Sequence, residues 1–302
     1  MAADTTVPAT AVQHSAAGQR RAVRVRRRGE RGPGASAGLH LTLLAATVIA
    51  LFPIVWMAFI ALKPGNGWQD PLDLSGGLGL SNFDHVLTDT EFPTWFGNSV
   101  LIAGGTTVIG VLISAGAGYA ISRLRFPGNR ALMWTFLITQ MFPGAVLIVA
   151  MYNILSTLKL IDTYGGLILA YCSSAVPFCA WMMKGYFDTI PGEIDEAGRI
   201  DGLTPFGTFW RLMMPLARPG LAVTAFYSFL TAWGEVAFAS QFMQSESKYT
   251  LAVGLQSFVA EHRADWGFLM AASVLITVPA GFVFFFAQKH LVSGLTSGGT
   301  KG

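Results

Sequence analysis

Glu196-Ala197-Gly198-Arg199-Ile200-Asp201-Gly202, closing at Pro215 in Met213-Met214-Pro215-Leu216, is a charged, helix-forming loop. It lies between two segments, 164–183 and 221–243, that are apolar enough to cross a bilayer. A membrane chain that gathers acids, a glycine and several aromatics into one loop has the makings of a grip on something outside the bilayer. The fold and the functional question both start from this loop.

Hydrophobic residues fill 52% of the 302 positions and charged residues 12%. An ordinary soluble domain carries about 25% charged residues. Six segments are long and apolar, near 39–62, 98–122, 131–155, 164–183, 221–243 and 268–288. Each is on the order of 20 residues, the length a helix needs to cross ~30 Å of hydrocarbon. The composition therefore predicts an all-α, polytopic membrane protein with six transmembrane helices.

Lys and Arg set the expected orientation. With the N-terminus inside, sixteen of the twenty basic residues fall on the inner side. Only Lys63, Lys159, Lys248 and Arg263 fall outside, and the flipped topology inverts this positive-inside bias. Both termini are expected in the cytoplasm of a multi-pass cell-membrane protein. Residues 1–38 are rich in Ala, Gly and Arg and lack apolar periodicity, which predicts a disordered basic tail. Its arginines act as a topology anchor against anionic membrane lipid. Arg20-Arg21 does not read as an export signal, because the following span is too long and no small-residue cleavage site follows it. Residues 39–302 form the six-helix domain.

Motifs for chemistry are missing from the chain. Cys172 and Cys179 lie seven residues apart, ~10.5 Å along one helix, too far for a disulfide. The five histidines are scattered without a His-Glu-x-x-His pair, and no Gly-x-Ser-x-Gly elbow occurs. The C-terminal glycine-rich run lacks the Gly-Lys-[Ser/Thr] ending of a phosphate loop. The expectation is a non-enzyme without metal, cofactor or nucleic-acid partner of its own, whose energy, if any is used, comes from another subunit.

Pro53, Pro143, Pro177 and Pro279 fall inside four of the six segments. Each removes a backbone hydrogen bond, which a membrane helix tolerates where neighbours or a polar cavity satisfy the freed carbonyl. Gly110, Ser114 and Gly118 form a small-residue stripe that lets helix backbones approach closely. Glu235, beside Trp233, falls in the outer part of the fifth segment. An ionised carboxylate at that depth is costly, so it faces the bundle interior, a wet cavity or a partner. Structural pairing and pathway lining both fit Glu235, and a belt anchor and a stacking surface both fit Trp233.

The loop is expected to form a helix over residues 193–201 with its acids at the N-terminal end, where the macrodipole favours them. Gly202 permits a turn. Thr204 suits an N-cap and Pro205 the first helical position. Phe206, Phe209, Trp210 and Met213 then fall at i, i+3, i+4 and i+7, one apolar face. On physics alone this helix–turn–helix reads either as an interfacial element or as a docking element.

The stretch Glu-Ala-Gly-x-x-x-Gly, then nine residues, then Leu212-x-Met214-Pro215, is very similar to the EAA loop of binding-protein-dependent ABC importer permeases. Gly198 stands where the family has a second Ala, and Met214 where it usually has Leu. Asn98-Ser99, Gly118-Tyr119-Ala120 leading to Arg123-Leu124-Arg125-Phe126-Pro127-Gly128, Pro177-Phe178 with Trp181, Ile200-Asp201-Gly202 and the C-terminal Gly294-Leu295-Thr296 also resemble this family. They resemble its carbohydrate branch in particular, the G-type subunit of maltose-class importers. The resemblance covers nearly the whole chain from the first span.

The resemblance implies a type I ABC importer permease fold, with its core at about 94–290 and its EAA loop at about 193–215. Glu196, Ala197, Gly198, Asp201, Gly202 and Pro215 would belong to the ATPase-coupling loop. Its helix would sit in a cleft of an ATPase subunit that binds the ATP. Partners implied are an ABC ATPase dimer, a second homologous permease subunit and an extracellular or periplasmic sugar-binding protein. The substrate implied is a maltose-, maltodextrin- or trehalose-like sugar. Residues 297–302 would reach toward the ATPase dimer, and Glu235 and Trp233 are candidates for the translocation pathway. The rival readings are an ABC permease for a non-sugar solute and a secondary transporter, which needs no EAA loop and more acids or histidines at mid-membrane.

Overall fold

The computed structural model describes residues 33–73, 75–261 and 266–297. The arginine cluster of the tail, Arg263 and residues 298–302 lie outside them. Among the described residues every regular element is helical. The chain divides into two units, residues 1–51 and 52–302. In the first, the described residues belong to α1 (Pro33–Ala61), so the expected tail boundary at residue 38 falls inside a helix.

The second unit continues from the end of α1 through α2 (Ser81–Thr88), α3 (Phe92–Arg123), α4 (Asn129–Thr139), α5 (Gly144–Thr157) and α6 (Tyr164–Thr189). Next come α7 (Glu193–Ile200), α8 (Pro205–Thr208), α9 (Met214–Leu216), α10 (Arg218–Trp233), α11 (Ala237–Phe242), α12 (Leu251–Glu261) and α13 (Trp266–Ser297). At its centre α3 packs along α6, and α10 lies against α3, α6 and α13.

Among the described residues four helices are long and apolar enough to cross a membrane: Gly34–Ala61, Phe92–Arg123, Tyr164–Thr189 and Trp266–Lys289. A fifth is counted if α4 and α5 are one span, yet they are bent by 108°. The bend falls just before Pro143, the α5 N-cap, which has no N–H to continue the α4 ladder. Pro53, Pro177 and Pro279, by contrast, are accommodated inside helices. The fifth expected span, 221–243, is not one helix. Its longer helix, α10, is 16 residues long and stops at Trp233; that rises ~24 Å, short of ~30 Å of hydrocarbon. A new helix starts at once, because the Glu235 carboxylate accepts the Phe238 and Ala239 N–H groups at 2.9 and 3.2 Å.

The small-residue stripe on α3 serves helix packing. A Cβ at Gly118 would come within 2.8 Å of Met183 Cβ and of the Lys184 backbone nitrogen on α6, while Ser114 Oγ donates to the Val176 carbonyl at 3.3 Å. Small side chains let the two backbones approach here. Two apolar clusters flank this contact. One joins Tyr119, Met183, Phe187, Phe209 and Met213 beneath α7. The other, larger cluster holds Trp95, Tyr171, Trp233 and Phe242 toward the start of α3.

At that second end a polar network fixes a strap, residues 246–251. Asn98 Nδ2 donates to the Ser247 and Tyr249 carbonyls, each at 2.9 Å, and Asn98 Oδ1 accepts from the Tyr164 hydroxyl at 2.8 Å. Trp95 Nε1 donates to the Glu246 carbonyl at 3.1 Å, and Ser99 Oγ accepts the Leu251 N–H at 2.7 Å. These bonds place the paired Asn98-Ser99 at a structural joint between segments about 150 residues apart.

Candidate functional site

The α7–α9 corner is built by local rules. Gly192 carbonyl accepts the Asp195 and Glu196 N–H groups, and Glu193, Asp195 and Glu196 occupy the first turn of α7. The helix ends in a Schellman motif: the Leu203 N–H donates to the Gly198 carbonyl at 2.8 Å and the Gly202 N–H to the Arg199 carbonyl at 3.0 Å. Gly202 takes φ +78°, the left-handed region that the motif requires. Thr204 then caps α8, accepting the Gly207 N–H at 3.1 Å, with Pro205 following.

Beyond α8 the chain makes a π-helical turn, Phe209–Met213, before α9. Pro215 lacks the N–H that an α-helix would give to the carbonyl four residues back, and the wider turn absorbs that break. The four expected apolar positions split into two rows as a result of where the bundle lies. Phe209 and Met213 are buried against Tyr119 and Phe187, whereas Phe206 is 72% and Trp210 43% exposed. The expected single apolar face is therefore half buried and half open.

α7 has the same division. Asp195 and Gly198 are buried, while Glu196, Ala197, Arg199, Ile200, Asp201 and Gly202 are exposed. Pro215 is exposed as well. Gly198 abuts α8: a Cβ there would stand 2.9 Å from Thr208 Oγ1 and 3.1 Å from Leu212 Cδ1. Ile200, 86% exposed, is open to the outside, as are Phe206 and Trp210 and the charged Glu196, Arg199 and Asp201. Exposed apolar side chains among charges, on a short helix with a fixed end, are groups suited to a cleft in another protein.

The inward side carries residues whose roles the linear sequence did not reveal. Asp195 Oδ1 accepts from the Tyr119 hydroxyl at 2.9 Å, and Asp195 Oδ2 lies 3.1 Å from Arg123 Nε. Arg123 also donates to the Phe187 carbonyl at 2.8 Å and to the Ile190 carbonyl. The available signal was the i, i+3 spacing of Asp195 and Gly198, which sets both on the face opposite Ile200.

Glu235 and Trp233 lie far from this corner, at the α10–α11 break. Glu235 holds the start of α11 as described, and its main-chain carbonyl lies 3.4 Å from the Tyr171 hydroxyl. Trp233 is buried, stacked on Phe229 at 5.3 Å, edge-on to Phe96 at 6.0 Å, with Nε1 3.3 Å from the Ile276 carbonyl. Those contacts make it an aromatic core residue rather than a lipid-facing belt residue. Among the described residues no group of three or more His, Cys, Asp or Glu is placed to hold a metal ion.

Residues 108–297 match the family described as binding-protein-dependent transport system inner membrane component. The maltodextrin transport system permease protein MdxG of Bacillus subtilis is 38% identical over 265 residues, covering 87% of this chain and 95% of that protein. The maltose/maltodextrin transport system permease protein MalG of Escherichia coli K12 is 36% identical over 282 residues, with the same coverage of 87% and 95%. These relatives are transport-system permeases and not enzymes. Among solved structures, a chain of a bacterial ABC transporter that imports the acidic polysaccharide alginate superposes with a TM-score of 0.71 at 23% identity, over 85% of this chain and 95% of that one. A second alginate transporter structure, in complex with a pentasaccharide-bound periplasmic protein, gives 0.59 at 17% identity, over 83% and 93%. The shared fold and the family match agree, and the chain belongs to the binding-protein-dependent transport system inner membrane components.

Proposed function

We propose that this chain is one permease half of an ATP-driven importer for maltose-, maltodextrin- or trehalose-like sugars. The observation that carries the coupling part is the divided α7: Asp195 is buried against α3 and Gly198 against α8, while Glu196, Ala197, Ile200, Asp201 and Gly202 are exposed. On this reading the exposed corner, from Glu196 to Pro215, seats in an ATPase subunit of an ABC dimer that binds the ATP. Closure of that dimer draws the corner inward and switches the transmembrane helices between inward- and outward-facing forms. A second, homologous permease subunit completes the path, and an extracellular or periplasmic binding protein delivers the sugar. The sixteen-to-four distribution of basic residues supports cytoplasmic termini.

The sugar class is supported by what the permeases of B. subtilis and E. coli are named for. It is also supported by a 390 Å³ groove lined by Ile148, Val149, Tyr152, Gln241 and Gln244. An aromatic ring and two amides on an aliphatic floor are groups that stack on and hydrogen-bond to a polyhydroxylated solute. Glu235 is the candidate to line the path at the break between α10 and α11, and Trp233, buried beside it among Phe229 and Phe96, supports that break from the core.

The test is uptake of radiolabelled maltose and trehalose by a strain lacking this chain, complemented with the wild type or with Gly202→Asp. Uptake of either sugar restored by the wild type alone supports both the sugar class and the corner. Uptake of both sugars that ignores the chain removes the sugar assignment.

A further inference from the structure

Asp195 is a charge placed where an apolar side chain would pack. It sits on the face of α7 turned away from the docking corner, and is 7% exposed. Buried carboxylates are costly unless paired and hydrogen-bonded. Asp195 has both kinds of partner, and both come from the last turns of α3: the Tyr119 hydroxyl at 2.9 Å and Arg123 Nε at 3.1 Å.

Arg123 does more than pair with Asp195. The same guanidinium donates to the Phe187 carbonyl at 2.8 Å and to that of Ile190, at the end of α6. One side chain therefore ties the end of α3 to the end of α6 and to the first turn of α7. The covalent link from α6 to α7 is the short Ile190-Pro191-Gly192 connection, and α7 otherwise rests on α8 and on the Tyr119 hydroxyl. Through Arg123 as well, α7 is joined to α3, which packs closely along α6 and α10.

Arg123 Nε and Asp195 Oδ2 form an ion pair at 3.1 Å in which the N–H is not aimed at the oxygen, so the hydrogen bond that fixes Asp195 comes from Tyr119.

We propose that Tyr119, Arg123 and Asp195 are positioning residues that carry movement of α7 into α3, and thereby couple ATP hydrolysis to transport. This rests on the reading of the α7 corner as the ATPase seat. None of the three lies on the outward surface of that corner. A load applied at Ile200 and its neighbours enters the bundle through the Asp195 joint.

The experiment uses the whole importer, purified with its ATPase and second permease, reconstituted in liposomes and supplied with its binding protein and radiolabelled maltose. Three quantities are read: ATPase retained with the chain, ATP hydrolysed, and sugar moved per ATP. Asp195→Asn is expected to retain the ATPase and hydrolyse ATP while sugar moved per ATP falls by about tenfold or more, the range of a charged coupling contact. Tyr119→Phe, which removes one hydroxyl and keeps the ring packing, is expected to lower the same ratio about threefold. A merely structural role would lower assembly and hydrolysis together and leave the ratio unchanged. Unchanged sugar per ATP in both variants overturns the inference and leaves the docking reading standing. So does loss of the ATPase in Asp195→Asn with a normal ratio in Tyr119→Phe, since the joint then only shapes the docking helix. If the wild-type chain retains no ATPase, the docking reading itself fails and takes the joint with it.

Discussion

Lys248 reaches back to Asp162 across 86 positions of sequence: its ammonium lies 2.9 Å from Asp162 Oδ2 and 2.7 Å from the Asp162 main-chain carbonyl. The same carboxylate accepts from Ser245 Oγ at 2.6 Å and from the Gln244 and Ser245 N–H groups at 3.0 and 3.1 Å. Burial alone would raise its pKa, but these bonds outweigh burial and hold the carboxyl well below the usual range. Asp162 thus pins the loop before α6 to the strap that Asn98 and Trp95 hold from α3.

Asp162→Asn removes the charge while keeping a residue that tolerates the observed φ of 57°. The variant is expected to lose about 1–2 kcal/mol at neutral pH, after discounting the partly exposed ammonium for solvent screening. The folded-state pKa is depressed, so the wild-type advantage is fully present above the ordinary aspartate value of about 3.9 and is lost as pH falls toward the folded-state value. Thermal midpoints of detergent-solubilised wild type and variant are therefore expected to converge below about pH 4. A gap that persists undiminished in acid would show that the carboxylate is not its source.

Asn98→Ala strips three hydrogen-bond partners at once, the Ser247 and Tyr249 carbonyls and the Tyr164 hydroxyl. The expected cost is roughly 2 kcal/mol, with two part-buried carbonyls losing their donor. Hydrogen exchange over residues 246–251 is expected to rise while that of α7 stays as in the wild type. Equal protection of the strap in both proteins would show that Asn98 does not hold it.

Gly198→Ala places a methyl group 2.9 Å from Thr208 Oγ1 and 3.2 Å from its Cγ2. Overpacking of this kind is expected to cost about 1 kcal/mol and to loosen α7 from α8. Thr208→Ala removes two of the three crowding atoms and leaves Leu212 Cδ1 at 3.1 Å, so the double variant is expected to recover part of the loss in thermal midpoint and in ATPase retention. Additive losses in the double variant would place the strain elsewhere.

Glu235→Ala is expected to cost about 1 kcal/mol, because the carboxylate is the acceptor at the start of α11. Glu235→Gln keeps an acceptor and removes the charge. If the charge serves the pathway, Glu235→Gln lowers sugar uptake with ATPase retention unchanged; normal uptake in that variant leaves Glu235 as a helix-starting residue only.

What could be read from the chain was what depends on neighbours in sequence. Apolar length announced the membrane helices, and Gly202, Thr204 and Pro205 announced the turn, the cap and the helix start that the structure shows. What could not be read depends on distant partners or on a choice between two local outcomes. Pro143 was legible as an interruption, but Pro53 and Pro177 stay within helices while Pro143 caps a helix after a 108° bend, a difference that neighbouring packing decides. The fifth apolar segment hid a helix start, because Glu235 serves α11 rather than extending α10. Asp195 looked like one acid among three in the first turn of α7 until Arg123 and Tyr119 were brought beside it.

The central claim is that the α7 corner seats an ATPase. The direct measurement is purification of the tagged chain from membranes of cells expressing wild type or Gly202→Asp, followed by identification of co-purified subunits and assay of ATP hydrolysis. The account predicts that an ATPase accompanies the wild type and is lost from the variant, with equal amounts of both chains inserted in the membrane. Equal retention of the ATPase by the two proteins would contradict it.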